Sequence, residues 1–170
     1  MKIVLPVEFF LVIKDKHLIL DTSVFIDAFS HIKDFGVLFN QLKVQHNVTL
    51  VTTEHVLIEF LKGSTTETRL DEKKAFFEKI IDAYLPCRPD LLKNLLELLK
   101  LYKIDSKDLS LTDLYLGALL VKYRKNIFLL TKDLTDFPTH IFNRATYATL
   151  LEANSIRNYG VYNFDQSNKE

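Results

Sequence analysis

Three short runs, LIL at 18–20, VTLV at 48–51 and IFLL at 127–130, constrain this chain more than any other feature. They are apolar without strict alternation and rich in bulky or β-branched residues. A strand with one wet face alternates apolar and polar positions, whereas a strand covered on both faces reads as a continuous apolar run. Such runs belong in a parallel sheet, and a parallel sheet needs helices as crossovers. The segments between them carry helical periodicity. Helices are expected at 22–29, at 35–45, from a Thr53 cap through Lys62 with Gly63 as terminator, at 67–82, at 90–103, and at 109–125 behind a Ser110 cap. Pro86 and Pro89 separate the fourth from the fifth. Residues 156–164, with Gly160, read as a last edge strand. The expected fold is α/β: three layers, α/β/α, around a central, mainly parallel sheet.

At 170 residues the chain holds one domain, expected over 1–165, with a polar tail at 166–170. The stretch IVLPVEFFLVI is interrupted by Pro6 and Glu8 and is too short to span a bilayer, so it reads as folded structure rather than a leader, with no membrane partner. Lysine plus arginine equals aspartate plus glutamate, 22 each, so nucleic acid would be attracted only by local basic patches. Cys87 is the single cysteine. It excludes an intrachain disulfide and a zinc site with two thiolates, reads as an inert thiol, and fits a reducing, cytoplasmic setting.

Four carboxylates stand out against this frame. Asp21 directly follows LIL, Glu59 lies within VLIEF, Asp113 within LSLTDLYLGALL, and Asp133 just past IFLLT, with Asp136 close behind. In open parallel α/β sheets ligands bind beyond the carboxyl ends of the strands, so Asp21 and Asp133 belong at one rim. The apolar neighbours of Glu59 and Asp113 turn these two towards a cleft. Two such charges about 4 Å apart repel by about 4 kcal/mol at an intermediate dielectric. A hard divalent cation with oxygen ligands would relieve that repulsion, Mg²⁺ or Mn²⁺ rather than Zn²⁺, because no histidine or cysteine accompanies the acids at zinc spacing. Each acid also has a plain structural reading. Asp21 can cap a helix at Thr22, Asp113 can complete a capping box with Ser110, Glu59 can be a surface acid, and Asp133 and Asp136 can make local turns before Pro138. Independent caps have no reason to share one rim.

Other chemistries lack their residues. The four glycines are too far apart for a phosphate-cradling loop, and no Gly-x-Ser-x-Gly elbow or zinc-protease histidine pair exists. Ser23 stands where a haloacid-type phosphatase would place a second aspartate.

The ordered set LILDTSVFID, VLIEF, LSLTDLYLGALL and LLTKDLTDF resembles the PIN-domain ribonucleases, and in size the toxins of the VapC type. The resemblance covers about 18–137 and implies an acidic pocket holding Mg²⁺ or Mn²⁺ that cuts RNA. On that reading Asp21, Asp113 and Asp133 hold metal with help from Asp136. Glu59 positions or deprotonates the attacking water, while Thr22, Ser23 and Thr131 orient ligands through their hydroxyls. Lys62 and Arg69, with Lys73 and Lys74, would border the cleft on one side, and Lys122, Arg124, Lys125 and Lys132 on the other, touching phosphates. Leu91, Leu92, Leu95, Leu98, Leu99 and Tyr102 fall on one face of the 90–103 helix, with Leu96 and Leu101 elsewhere. That surplus implies a homodimer or an antitoxin-like partner. The competing reading is a catalytically silent PIN-like module that binds RNA or protein.

Overall fold

The computed structural model describes residues 2–102 and 109–165. The expected tail at 166–170 and the last residue of the expected 90–103 helix lie outside these. In chain order the elements are β1 (Lys2–Val4), α1 (Glu8–Ile13), β2 (His17–Leu20), α2 (Thr22–Ser30), α3 (Ile32–His46), β3 (Thr49–Thr52), α4 (Glu54–Lys62), α5 (Glu67–Ile80), β4 (Ala83–Tyr84), α6 (Leu92–Tyr102), α7 (Leu111–Tyr123), β5 (Ile127–Thr131), β6 (Asn143–Leu151) and β7 (Ile156–Asn163). Short 3₁₀ turns precede α6 and β5.

The three non-alternating runs are β2, β3 and β5, and nearly every residue in them is buried. They form the parallel heart of a seven-stranded sheet ordered β1-β6-β7-β5-β2-β3-β4. The protein is therefore α/β, but its sheet is mixed rather than mainly parallel. Among the described residues β5–β2, β2–β3 and β3–β4 pair parallel, while β5–β7, β7–β6 and β6–β1 pair antiparallel. β7 is not an edge strand, because β6 lies outside it. β6 buries only Thr146, Ala148 and Leu150 on alternate positions, the pattern of a strand with one covered face. Gly160 faces Thr131 across the β7–β5 pairing, and the buried Tyr162 ring lies over it, so a Cβ there would meet the ring at 2.3 Å.

The helices that carry the acids are fixed by packing. Phe25 of α2, Phe60 of α4 and Phe77 of α5 stack in the core, with Phe25 and Phe77 centroids 4.3 Å apart. Each such ring contributes roughly 2–3 kcal/mol by leaving water. In α7 every residue from Leu116 to Val121 is buried, as expected of a helix apolar all round. Gly117 lets α6 approach closely, since a Cβ there would stand 2.6 Å from Leu98 Cδ2. Leu91, in the 3₁₀ turn before α6, and Leu98 on α6 are buried, and Leu95, Leu101 and Tyr102 of α6 pack partly on the core. Leu92, Leu96 and Leu99 are exposed, so Leu92 and Leu99 leave the face expected for them and Leu101 joins it. No described helix is long and apolar enough to cross a membrane.

Candidate functional site

Asp21 leaves β2 at the carboxyl end of the sheet, its N–H bonded to the Leu130 carbonyl of β5 at 3.2 Å. Asp21 is 5% exposed, and three flanking groups meet its carboxylate. The Thr22 N–H donates to Oδ1 at 2.6 Å, and the Ser23 and Thr131 hydroxyls each donate to Oδ2 at 2.7 Å. Both hydroxyls are relays. Ser23 Oγ accepts the Lys132 N–H at 3.1 Å and Thr131 Oγ1 accepts the Asp133 N–H at 3.0 Å, so the loop after β5 is tied to Asp21. Thr22 ties it to a second helix, its hydroxyl donating to Glu59 Oε2 at 2.7 Å.

Thr53 caps α4 through the Val56 N–H at 3.4 Å, with Gly63 at its end. Val56 and Phe60 anchor that helix in the core, which leaves Glu59 at the rim. Glu59 is exposed, and so is its neighbour Ile58 at 65%. The apolar surroundings in sequence therefore do not enclose Glu59, and its link to the site is the Thr22 hydroxyl. Ser110 caps α7, accepting the Asp113 N–H at 3.0 Å and donating to Asp113 Oδ2. Asp133 Oδ1 accepts from the Thr135 hydroxyl at 2.9 Å, and the Tyr102 hydroxyl donates to the Asp136 carbonyl, which fastens the acidic loop to α6. Capping and turn roles are thus present at Asp21, Asp113 and Asp133, together with convergence on one rim.

Electrostatics record that convergence. Burial pushes the Asp113 carboxyl up to about 6 against the opposing Ser110 hydrogen bond, and the charges of Asp21, Asp136 and Asp133 push the same way. Burial raises Asp21 as well, opposed by its three hydrogen bonds and reinforced by Glu59. At Asp133 burial pushes up, but hydrogen bonds from Thr135 and Asp136 prevail and lower it. Among the described residues no lysine or arginine pairs with Asp21, Glu59 or Asp113. The donor set is oxygen only, which fits a hard cation such as Mg²⁺ or Mn²⁺. Among the described residues, no three His, Cys, Asp or Glu side chains are arranged to hold a metal ion together. The fit therefore lies in the donor chemistry and in uncompensated charge.

The proposed phosphate contacts are largely displaced. Lys122 lies nine residues beyond Asp113 on α7, about 14 Å further along the axis, at the end away from the acid rim. There it pairs with Asp90 at 2.7 Å. Arg124 and Lys125 follow it in the turn leading into the start of β5, and Lys125 pairs with Asp165 at 3.0 Å. None of the three borders the acids. Lys132 does stand beside Asp21, but its Nζ turns to Asp27 at 3.0 Å. Arg69 pairs with Glu72 and lies over the Phe29 ring at 4.2 Å, while Lys73 Nζ donates to the Phe60 carbonyl. Lys62 ends α4, exposed.

Sequence reasoning missed Asp27. It is 3% exposed and receives Lys132, Arg157 and, at 2.6 Å, the Tyr159 hydroxyl. Burial alone would raise its carboxyl, yet Tyr159, Lys132 and Arg157 lower it. The one local signal was an acid inside the apolar helix VFIDAF. Cys87 Sγ lies 3.2 Å from His55 Nδ1, and burial with the Glu54 charge pushes its thiol up, which disfavours the thiolate.

No family model, no curated protein and no solved structure matches this chain.

Proposed function

We propose that this protein is a Mg²⁺- or Mn²⁺-dependent endoribonuclease of the PIN kind, with the three-layer architecture of that family and a cytoplasmic RNA as substrate. The observation that carries the reading is the gathering of Asp21, Glu59, Asp113, Asp133 and Asp136, drawn from four parts of the chain, around Thr22 and Thr131 at the carboxyl rim, with no cation paired to the first three among the described residues. Buried like charges are costly, and a fold keeps them where a counter-charge arrives with the ligand.

Asp21, Asp113 and Asp133 would hold the ion, with Asp136 beside them. When bound, the metal supplies an acidified water and neutralises charge on the phosphodiester. Ser23 and Thr131 fix the Asp21 oxygens, and Thr22 aims Glu59 by holding Oε2, which leaves Oε1 to take a proton from the attacking water. An antitoxin-like protein or a second copy of the chain would cover the exposed Leu92, Leu96 and Leu99 row on α6.

The test is cleavage of a generic single-stranded RNA with Mn²⁺, with chelator, and by Glu59→Gln. Cleavage should vanish with chelator and fall on the order of 10²–10⁴-fold in the variant. RNA binding without cleavage in any metal would favour the second reading, a silent binding module. The cap bonds at Asp21 and Asp113 are the observation on its side.

A further inference from the structure

We infer that Lys132 is a positioning residue and not a phosphate contact: Asp27 grips it so that the loop bearing Asp133 and Asp136 is stapled along the first two turns of α2. The inference rests on the metal-centre reading for its consequence, though its geometry stands independently. Lys132 meets α2 at two points four residues apart. Its backbone N–H donates to Ser23 Oγ at 3.1 Å, and its Nζ reaches Asp27 Oδ2 at 3.0 Å. Residues at i and i+4 lie one above the other on a helix face, so two anchors at this spacing fix direction as well as place.

The far anchor is itself rigid. Asp27 is 3% exposed, and β7 holds it from the other side through Arg157 and the Tyr159 hydroxyl. Arg157 is held in turn by Glu152 at 3.0 Å, and Glu152 also meets His31 at 2.7 Å. One lysine thus links the ion-pair network around the buried Asp27 to the acidic rim. The next residue, Asp133, donates its N–H to Thr131 Oγ1, the hydroxyl that also holds Asp21. Loosening Lys132 would therefore misplace Asp133 and free Thr131 together.

The test compares Lys132→Met and Lys132→Arg with the parent protein in three measurements: Mn²⁺ affinity without RNA, amide exchange at Asp133 without metal, and the salt dependence of RNA binding. A side chain already 38% exposed should be replaceable without loss of the fold, and the arginine variant, which can still reach Asp27, is the rescue. Lys132→Met should weaken Mn²⁺ binding about tenfold, as loss of a ligand-orienting group does. It should speed Asp133 exchange about tenfold and leave the salt slope unchanged, while Lys132→Arg should restore all three. Unchanged Mn²⁺ affinity and exchange in Lys132→Met would overturn the inference, as would a salt slope reduced by about one unit, the mark of a lost phosphate contact. If the parent protein binds no Mn²⁺ at all, the metal reading fails on its own account and the exchange measurement still decides the staple.

Discussion

Asp21, the cap of α2, and Asp27, six residues later within it, are 5% and 3% exposed, yet their carboxyls shift in opposite directions. Asp27 meets a lysine, an arginine and a phenol, and its carboxyl is held below the usual range. Asp21 meets two hydroxyls and an amide while Glu59 crowds it, and its carboxyl is driven up. Desolvation is common to both, so the difference lies in what each acid is given in return. The Asp27 charge is answered inside the chain and fastens α2 to β7. The Asp21 charge is answered only by hydroxyl and amide donors, with no cation paired to it among the described residues.

That contrast breaks most readily at Asp27. Asp27→Asn leaves Arg157 and Lys132 facing a neutral group and should cost about 3–5 kcal/mol, read as a fall in the urea midpoint with unchanged slope. At Asp21 the same chemical change should do the reverse. Asp21→Asn relieves repulsion and should leave stability equal or higher by up to about 1 kcal/mol at pH 7, while abolishing Mn²⁺ binding. A large loss of stability in both variants would erase the distinction between the two acids.

The pH dependence sharpens it. Asp113 titrates near 6 in the folded protein against 3.8 ordinarily, so the folded state binds that proton more tightly. Its stabilising contribution is complete below pH 3.8 and is lost as pH rises through 6, an effect of about 1 kcal/mol once partial exposure is discounted. Asp27, lowered from 3.8, contributes in the other sense, with stability present above 3.8 and lost as pH falls below it. The Tm of Asp113→Asn, followed from pH 4 to 7, should lack the decline near pH 6 while keeping the acid-side loss. The smallest effect belongs to Lys122→Gln and Arg124→Gln, at the far end of α7. RNA affinity should not change, and stability should move by no more than about 0.5 kcal/mol.

The parallel heart of the sheet was legible because burial on both faces leaves a local trace: LIL, VTLV and IFLL declare β2, β3 and β5 without reference to the rest of the chain. Thr53, Gly63 and Ser110 were equally legible, since capping is a contact within one turn. β6 was missed because its inward positions, Thr146, Ala148 and Leu150, are no more apolar than the intervening Ala145, Tyr147 and Leu151, so no alternation shows. The place of β7 inside the sheet follows from its pairing with β6, which no local pattern fixes. At the site, Asp21 and Thr131 were readable from strand ends, whereas the sorting of cations was not. Lys132 and Arg157 come to Asp27 from 105 and 130 residues away. The misplacement of Lys122 and Arg124 beside the cleft ignored helix length, since a helix that starts at the rim carries its last residues to the opposite end.

The central claim is that Asp21 and Asp113 are charge-strained acids at one rim, which we propose a divalent cation relieves. Its most direct test is a carboxyl-carbon NMR titration of Asp113 with and without Mg²⁺. The account predicts a pKa near 6 in the metal-free protein that falls into the ordinary aspartate range as Mg²⁺ is added. An Asp113 that titrates as an ordinary aspartate from the outset and ignores Mg²⁺ would contradict it.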